Sequence, residues 1–134
     1  MPEDIELPDD RHLAIRAMAA PADANADGDI FGGWIMSQMD IAGSVIARRR
    51  AQGRIVTVAV NAFQFKKPAF VGDLISCYAQ VTRIGTTSMS VKVKAYAERY
   101  RNHQEVVHLT EADLTYVAVD DQRRPRPVPK DEDA

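Results

Sequence analysis

The chain has 134 residues, 46% hydrophobic and 27% charged, which suits one globular domain with a real core. Lys plus Arg is 17 and Asp plus Glu is 19, so the net charge of −2 excludes a strongly basic nucleic-acid binder. One cysteine, Cys77, excludes an intrachain disulfide and a Cys-rich zinc site, and His12, His103 and His108 lack metal-ligand spacing, so no metal site is expected.

Residues 1–10 hold five acids and no base and read as an acidic tail. They have no apolar core of a secretory signal, and no apolar run approaches the ~20 residues of a membrane span. The expectation is a soluble, cytoplasmic protein. Residues 11–120 form the domain, with no internal repeat and no linker long enough to divide it. Residues 11–119 carry nine acids against thirteen bases, a mildly basic balance that most proteins show without binding a polyanion.

Residues 11–19 alternate weakly and predict a strand. Residues 21–29 (PADANADGD) are dense in Pro, Asp, Asn and Gly and predict a loop. Residues 31–51 hold no proline, and Trp34, Ile35, Met36, Met39, Ile41, Val45 and Ile46 surround nearly the whole circumference of a helix. A helix apolar all round is usually buried. Arg48, Arg49 and Arg50 suit its C-terminal dipole, and Gly53 is a plausible stop. Four β-rich stretches follow: 54–65, 74–85, 86–100 and 104–120. In the third, Met89, Val91, Val93 and Ala95 alternate with Ser88, Ser90, Lys92 and Lys94. The Val71-Gly72-Asp73 turn and other short connections favour antiparallel neighbours. Residues 121–134, with prolines at 125, 127 and 129, read as a second solvated, charged tail. One long helix and roughly five antiparallel strands fit an α+β layout, the sheet wrapped around the helix.

Two features of the helix are chemically odd. Asp40 lies in its apolar middle, with Ser37 and Ser44 nearby. A carboxylate there either faces solvent on a partly exposed stripe, or is held in a cleft as a general base or nucleophile. Gly32-Gly33 opens the helix although glycine costs roughly 1 kcal/mol against alanine. The pair either packs tightly on the sheet or lets a ligand reach the free first-turn amides, which can hold a developing oxyanion. Gly33 and Asp40 share a face, but seven residues at ~1.5 Å each put them ~10 Å apart. One reacting carbonyl cannot use both within one helix. If both act, two antiparallel helices must meet across a two-fold axis near residues 36 and 37, so Gly33 of one chain faces Asp40 of the other.

The run PADANADGDIFGGWIMSQMDIAG (21–43) resembles the signature of the YciA-type acyl-CoA thioesterases of the hotdog-fold superfamily. GRIVTVAVNAFQFKKPAFVGDLISCYAQV (53–81), GTTSMSVKVK (85–94) and LTYVAVD (114–120) are similar to the same family in order and spacing, so the resemblance covers about residues 12–128. It implies a hotdog fold, a long central helix wrapped by an antiparallel sheet. It implies hydrolysis of acyl-CoA to free acid and coenzyme A, within fatty acid metabolism, with no cofactor because coenzyme A belongs to substrate and product. By position, Asp40 matches the catalytic aspartate and Gly33 the glycine whose N–H polarises the thioester carbonyl, with Gly32 beside it. Asn25 matches an asparagine that orients water or the thioester. Gly85, Thr86, Thr87 and Ser88 match a turn expected along coenzyme A, and Lys66 and Lys67 could meet its phosphates. The Lys-Lys pair, Asn61 and Gln64 depart from the common pattern. The resemblance also implies a homodimer at least, assembled into a hexamer as a trimer of dimers, and broad chain-length tolerance.

Rival chemistries find less in the sequence. There is no GxSxG elbow or Gly-rich phosphate loop. Cys77 sits in a predicted strand and reads as core, as do Trp34, Met36 and Met39, although part of that surface could line an acyl tunnel. A dehydratase on the same fold would need a histidine near the helix start, and residues 13–102 contain none. A non-catalytic regulator that binds acyl-CoA or coenzyme A is the alternative from another class.

Overall fold

Side-chain alternation sets the sheet. In the computed structural model, which describes residues 5–100 and 103–130, five strands form one antiparallel sheet and a single α-helix packs against it. The strands are β1 (Leu13–Met18), β2 (Ile55–Phe65), β3 (Leu74–Ile84), β4 (Ser88–Tyr100) and β5 (Gln104–Ala118); the helix is α1 (Gly32–Ala51). Met89, Val91, Val93 and Ala95 of β4 are buried while Ser88, Ser90, Lys92 and Lys94 are only half-buried, as the alternation predicts. The expected α+β architecture, a long helix wrapped by five strands, is the one observed. Residues 1–4 and 131–134, expected as parts of the two tails, lie outside the described residues.

The strand order is β1-β3-β4-β5-β2. Short connections join neighbours for β3–β4 and β4–β5, but not for β2 and β3, which residues 66–73 carry to separate places in the sheet. Connection length limits reach; it does not say which strand a segment pairs with. β2 is thereby an edge strand, and Val56, Val58 and Val60 on it are 38%, 55% and 40% exposed. An exposed apolar edge is a template for pairing with another chain.

The helix buries one stripe, Ile35, Met39, Ala42, Gly43, Ala47 and Ala51, against the sheet. Small residues along that stripe let the helix lie close to the strands. The rest corrects the expectation of a helix buried all round: Met36 and Ile41 are 40% and 46% exposed, and Gly33 and Ser37 are exposed beside them. The end also differs, because Gln52, at φ 55°, is the left-handed cap and its N–H bonds Arg48 O; Gly53 follows it.

Two local clamps hold the ends of the sheet. Asp73 closes the turn after Phe70 through Asp73 N–H to Phe70 O (3.0 Å) and Phe70 N–H to Asp73 Oδ2 (2.9 Å). Arg99 of β4 donates to the same Oδ2 at 2.8 Å and to Pro68 O at 3.2 Å, and its guanidinium lies 4.7 Å from the Phe70 ring centre. Both side chains of this pair are nearly buried. At the opposite end, the stretch read as a solvated tail is mostly exposed but anchored as far as Pro129. Val128 is buried and donates its N–H to Thr86 O (2.8 Å), Arg126 N–H reaches Ala118 O (2.9 Å), and Arg50 holds Pro129 O. Its prolines and arginines mimic a disordered composition, yet Arg126 and Val128 donate to carbonyls of the domain and Pro129 accepts from Arg50.

Replacing Asp73 leaves the Arg99 guanidinium buried without its carboxylate, so Asp73→Ala is expected to lose about 3–5 kcal/mol of stability in urea unfolding. Loss of less than about 1 kcal/mol would show the pair to be dispensable.

Candidate active site

The helix start is built by the loop before it. Asn25 organises that loop: its Oδ1 accepts from Asp27 N–H (2.9 Å) and Asp29 N–H (3.1 Å), and its backbone N–H bonds Asp29 O (2.8 Å). Only its amide NH2 remains available to a ligand. Ile30 N–H to Ala69 O (2.8 Å) ties the loop to the crossing segment, and Phe31 N–H to Asp23 O (2.9 Å) sets the entry into α1. Trp34 and Ile35 donate back to Phe31 O (3.0 and 3.3 Å), and among the described residues the N–H groups of Gly32 and Gly33 have no acceptor.

The two glycines differ. A Cβ on Gly32 would come within 2.7 Å of Phe65 Cε2, so the packing reading holds for Gly32. A Cβ on Gly33 would meet nothing within 4 Å, and Gly33 is exposed. Beside them is a cleft of about 300 Å³ with an apolar lining of Ile30, Ile35, Phe65 and Leu109, and with Lys66 and Lys67 on its wall. Lys66 is engaged with Glu111 at 3.3 Å; Lys67 is exposed and has no partner among the described residues.

Asp40 lies two turns further along. It is half-buried, on a partly exposed stripe with exposed Ser37 and half-buried Ser44. Its Oδ1 accepts from Thr57 Oγ1 (2.8 Å) and from the Tyr116 hydroxyl (3.0 Å), and the same hydroxyl lies 2.9 Å from Asp40 O. Thr57 and Tyr116 are register partners on β2 and β5. Among the described residues, Oδ2 has no donor and no cation pairs with Asp40. Burial, then the nearby Asp40 carboxylate, push the Tyr116 phenol far above its usual range, so it stays a donor.

The site residues expected from the sequence fall into two groups. Asn25, Gly32, Gly33, Lys66 and Lys67 gather where β2 ends, opposite Thr110 of β5. Asp40 lies near the start of β2, and the Gly85–Ser88 turn lies at that same end, tied by Ala118 N–H to Thr87 O (2.9 Å) and by Val128 to Thr86. The Thr86 side chain is exposed and Ser88 half-buried. From Ile55 to Phe65 the strand spans ~30 Å at ~3.3 Å per residue. A single chain therefore does not bring the lysines and the Gly85–Ser88 turn together.

Thr57 and Tyr116 were not visible as site residues in the sequence. One signal marked a close approach to the helix beside Asp40, without saying by which residue. Gly43, mid-helix and one turn beyond Asp40, is the mark of a close approach: a Cβ there would lie 2.3 Å from the Tyr116 hydroxyl oxygen. Cys77 is fully buried in β3, and burial pushes its thiol up to about 12, which leaves no thiolate for nucleophilic attack. His108 stacks on Tyr96 with ring centres 4.7 Å apart, and burial, then nearby Lys66, lower its pKa.

Residues 27–101 match the thioesterase superfamily. The chain is 46% identical over 119 residues to the acyl-CoA thioester hydrolase YciA of Salmonella typhimurium, covering 87% of this chain and 90% of that protein. Among solved structures it is similar to HI0827, a hexameric broad specificity acyl-coenzyme A thioesterase (TM-score 0.84, 44% identity, 90% of this chain and 82% of that one). It is also similar to the hexameric thioesterase y2039 from Yersinia pestis (TM-score 0.86, 42% identity, 97% of this chain and all, 100%, of that one).

A buried thiol titrating near 12 is expected to react with a disulfide reagent at pH 8 at least ~100-fold more slowly in the native chain than after unfolding. Rapid native labelling of Cys77 would reopen its candidacy as a nucleophile.

Proposed function

Because the chain belongs to the thioesterase superfamily, with YciA-type acyl-CoA thioesterases as close relatives, we propose that it hydrolyses acyl-CoA to a free carboxylic acid and coenzyme A. The observation that carries the proposal is Asp40, held by two hydroxyl donors on one oxygen with no donor on the other among the described residues, at the margin of the helix face exposed in the single chain. The reaction needs water and no separate cofactor, since coenzyme A is part of the substrate and a product.

The proposed site is composite. Two chains meet through the exposed helix face and the apolar β2 edge, with their helices antiparallel. Gly33 of one chain binds the thioester carbonyl oxygen through its free N–H, where the partial positive charge of the helix start favours an oxyanion. Asp40 of the partner subunit either takes a proton from the attacking water or attacks the carbonyl itself to give a mixed anhydride that water then hydrolyses. In both routes the C–S bond breaks and coenzyme A leaves as the thiol. Asn25 can direct its NH2 at the water or the thioester. The lysines and the Gly85–Ser88 turn, which stand at opposite ends of β2 in one chain, become neighbours across the two-fold axis. Lys66 and Lys67 of one chain, with the Gly85–Ser88 turn of the other, then flank the coenzyme A portion. The hexameric state of HI0827 and y2039 supports a trimer of such dimers here.

Thiol release from short- to long-chain acyl-CoAs is expected for the wild type and is expected to fall at least ~100-fold in Asp40→Asn. Near-wild-type turnover in that variant would remove Asp40 from the chemistry. Gly33→Pro deletes the proposed carbonyl donor in a first helical turn that tolerates proline, and is expected to lose ~100–1,000-fold in rate. Co-assembled Gly33→Pro and Asp40→Asn chains are expected to regain roughly a quarter of the wild-type rate, because half of randomly paired dimers are mixed and each keeps one whole site. No regain, in mixed oligomers of confirmed composition, would place both groups of a site in one chain.

A further inference from the structure

We infer that Tyr116 is a positioning residue for the Asp40 carboxylate and that its hydroxyl reserves Oδ2 as the reacting oxygen; this rests on the thioesterase reading above. The Tyr116 hydroxyl lies 2.9 Å from Asp40 O and 3.0 Å from Asp40 Oδ1, so one donor spans the main chain and side chain of a single residue. That bridge turns the carboxylate back toward its own helix and restricts its rotation. Thr57 Oγ1 donates to the same oxygen at 2.8 Å. Thr57 and the shared Tyr116 hydroxyl are both directed at Oδ1, and among the described residues Oδ2 keeps its lone pairs for a proton or a carbonyl carbon.

The surroundings fit a fixed strut. Tyr116 is fully buried on β5, and its ring is rigid. The groups that meet Asp40 from the packed strands are Thr57 on β2 and Tyr116 on β5, and both are neutral. Hydroxyl donors therefore orient the carboxylate without pairing its charge away, as a guanidinium would. Gly43 belongs to the same device, because any Cβ at that position would lie 2.3 Å from the hydroxyl oxygen and 3.1 Å from two ring carbons. A helix that gives up alanine for glycine one turn from its carboxylate makes room for this contact. A misplacement near 1 Å at a reacting group can cost ~100-fold in rate, which is the scale on which such a strut matters.

Tyr116→Phe keeps the ring and removes only the donor. In folded oligomer, kcat for acyl-CoA hydrolysis is expected to fall on the order of 10-fold while KM stays within about two-fold. In the Asp40→Asn background the same change is expected to cost nothing further, because the two residues act as one unit. The 13C resonance of the Asp40 carboxyl group, which needs no substrate, is expected to shift or broaden in Tyr116→Phe. Unchanged kcat with an unmoved resonance overturns the inference, as does an equal loss in both backgrounds. A wild type that releases no thiol overturns the thioesterase reading instead, and the resonance still decides the contact. If Tyr116→Phe does not fold, 3-fluorotyrosine at 116, whose more acidic phenol donates more strongly, is expected to move the resonance in the opposite sense to loss of the donor.

Discussion

A helix is a ruler, and α1 holds Gly33 and Asp40 seven residues apart on one face, ~10 Å along the axis. Nothing within the chain can shorten that distance while the helix stays intact. Much of the molecule's surface follows from it under the proposed mechanism. The face carrying Gly33, Met36, Ser37 and Ile41 is turned away from the sheet with Asp40 half-buried at its margin, and β2, the strand after the helix, lies at the edge with valines uncovered. These are costly features for an isolated chain, because they leave apolar surface and unpaired strand groups in water. They become useful once a second helix and a second edge lie against them. The same pairing that covers them brings an amide donor and a carboxylate within reach of one thioester.

The other face of α1 answers a different demand. Ala42, Gly43, Ala47 and Ala51 are small, so the sheet comes close enough for polar groups of β2 and β5 to reach past the helix backbone. Thr57 and Tyr116 do so at Asp40. Packing and chemistry are thus coupled: a larger stripe of leucines would bury more area but hold the strands off, and the carboxylate would lose both donors. Glycine at 43 gives up helix propensity of about 1 kcal/mol in exchange for that approach.

What was legible in the sequence was what repeats or offends locally. The alternation in β4 and the dense apolar run of α1 place strand and helix directly. Asp40 and Gly32-Gly33 stand out because each breaks the helix pattern around it. Pairings between distant segments left no such trace. Residues 66–73 look like a hairpin connection, yet they cross from β2 to β3, because the choice of neighbour is made by the sheet as a whole. Tyr116 reads as one more inward strand residue until its hydroxyl is seen at Asp40, 76 residues away in sequence. Residues 121–130 have the composition of a tail, and their anchors are backbone carbonyls, which no side-chain pattern announces.

The asymmetry between the two oxygens of Asp40 bears on both routes of the proposed reaction. A general base needs a lone pair that water can approach, and a nucleophile needs one that can reach a carbonyl carbon; neither is served by an oxygen already accepting two hydroxyl bonds. With Oδ1 tied to Thr57 and Tyr116, Oδ2 is the oxygen left for either task. The tie also lowers the entropy to be lost on reaching the reactive geometry, since the carboxylate is already held before substrate arrives. Charge is handled in the same economical way. No cation neutralises Asp40 among the described residues, whereas Lys66 and Lys67 stand at the far end of β2, beside the cleft next to Gly32. Separating the carboxylate from the lysines by the length of a strand keeps them from pairing within one chain. In the proposed dimer each is then brought to a different part of the same ligand: the carboxylate to the thioester, the lysines toward the phosphates.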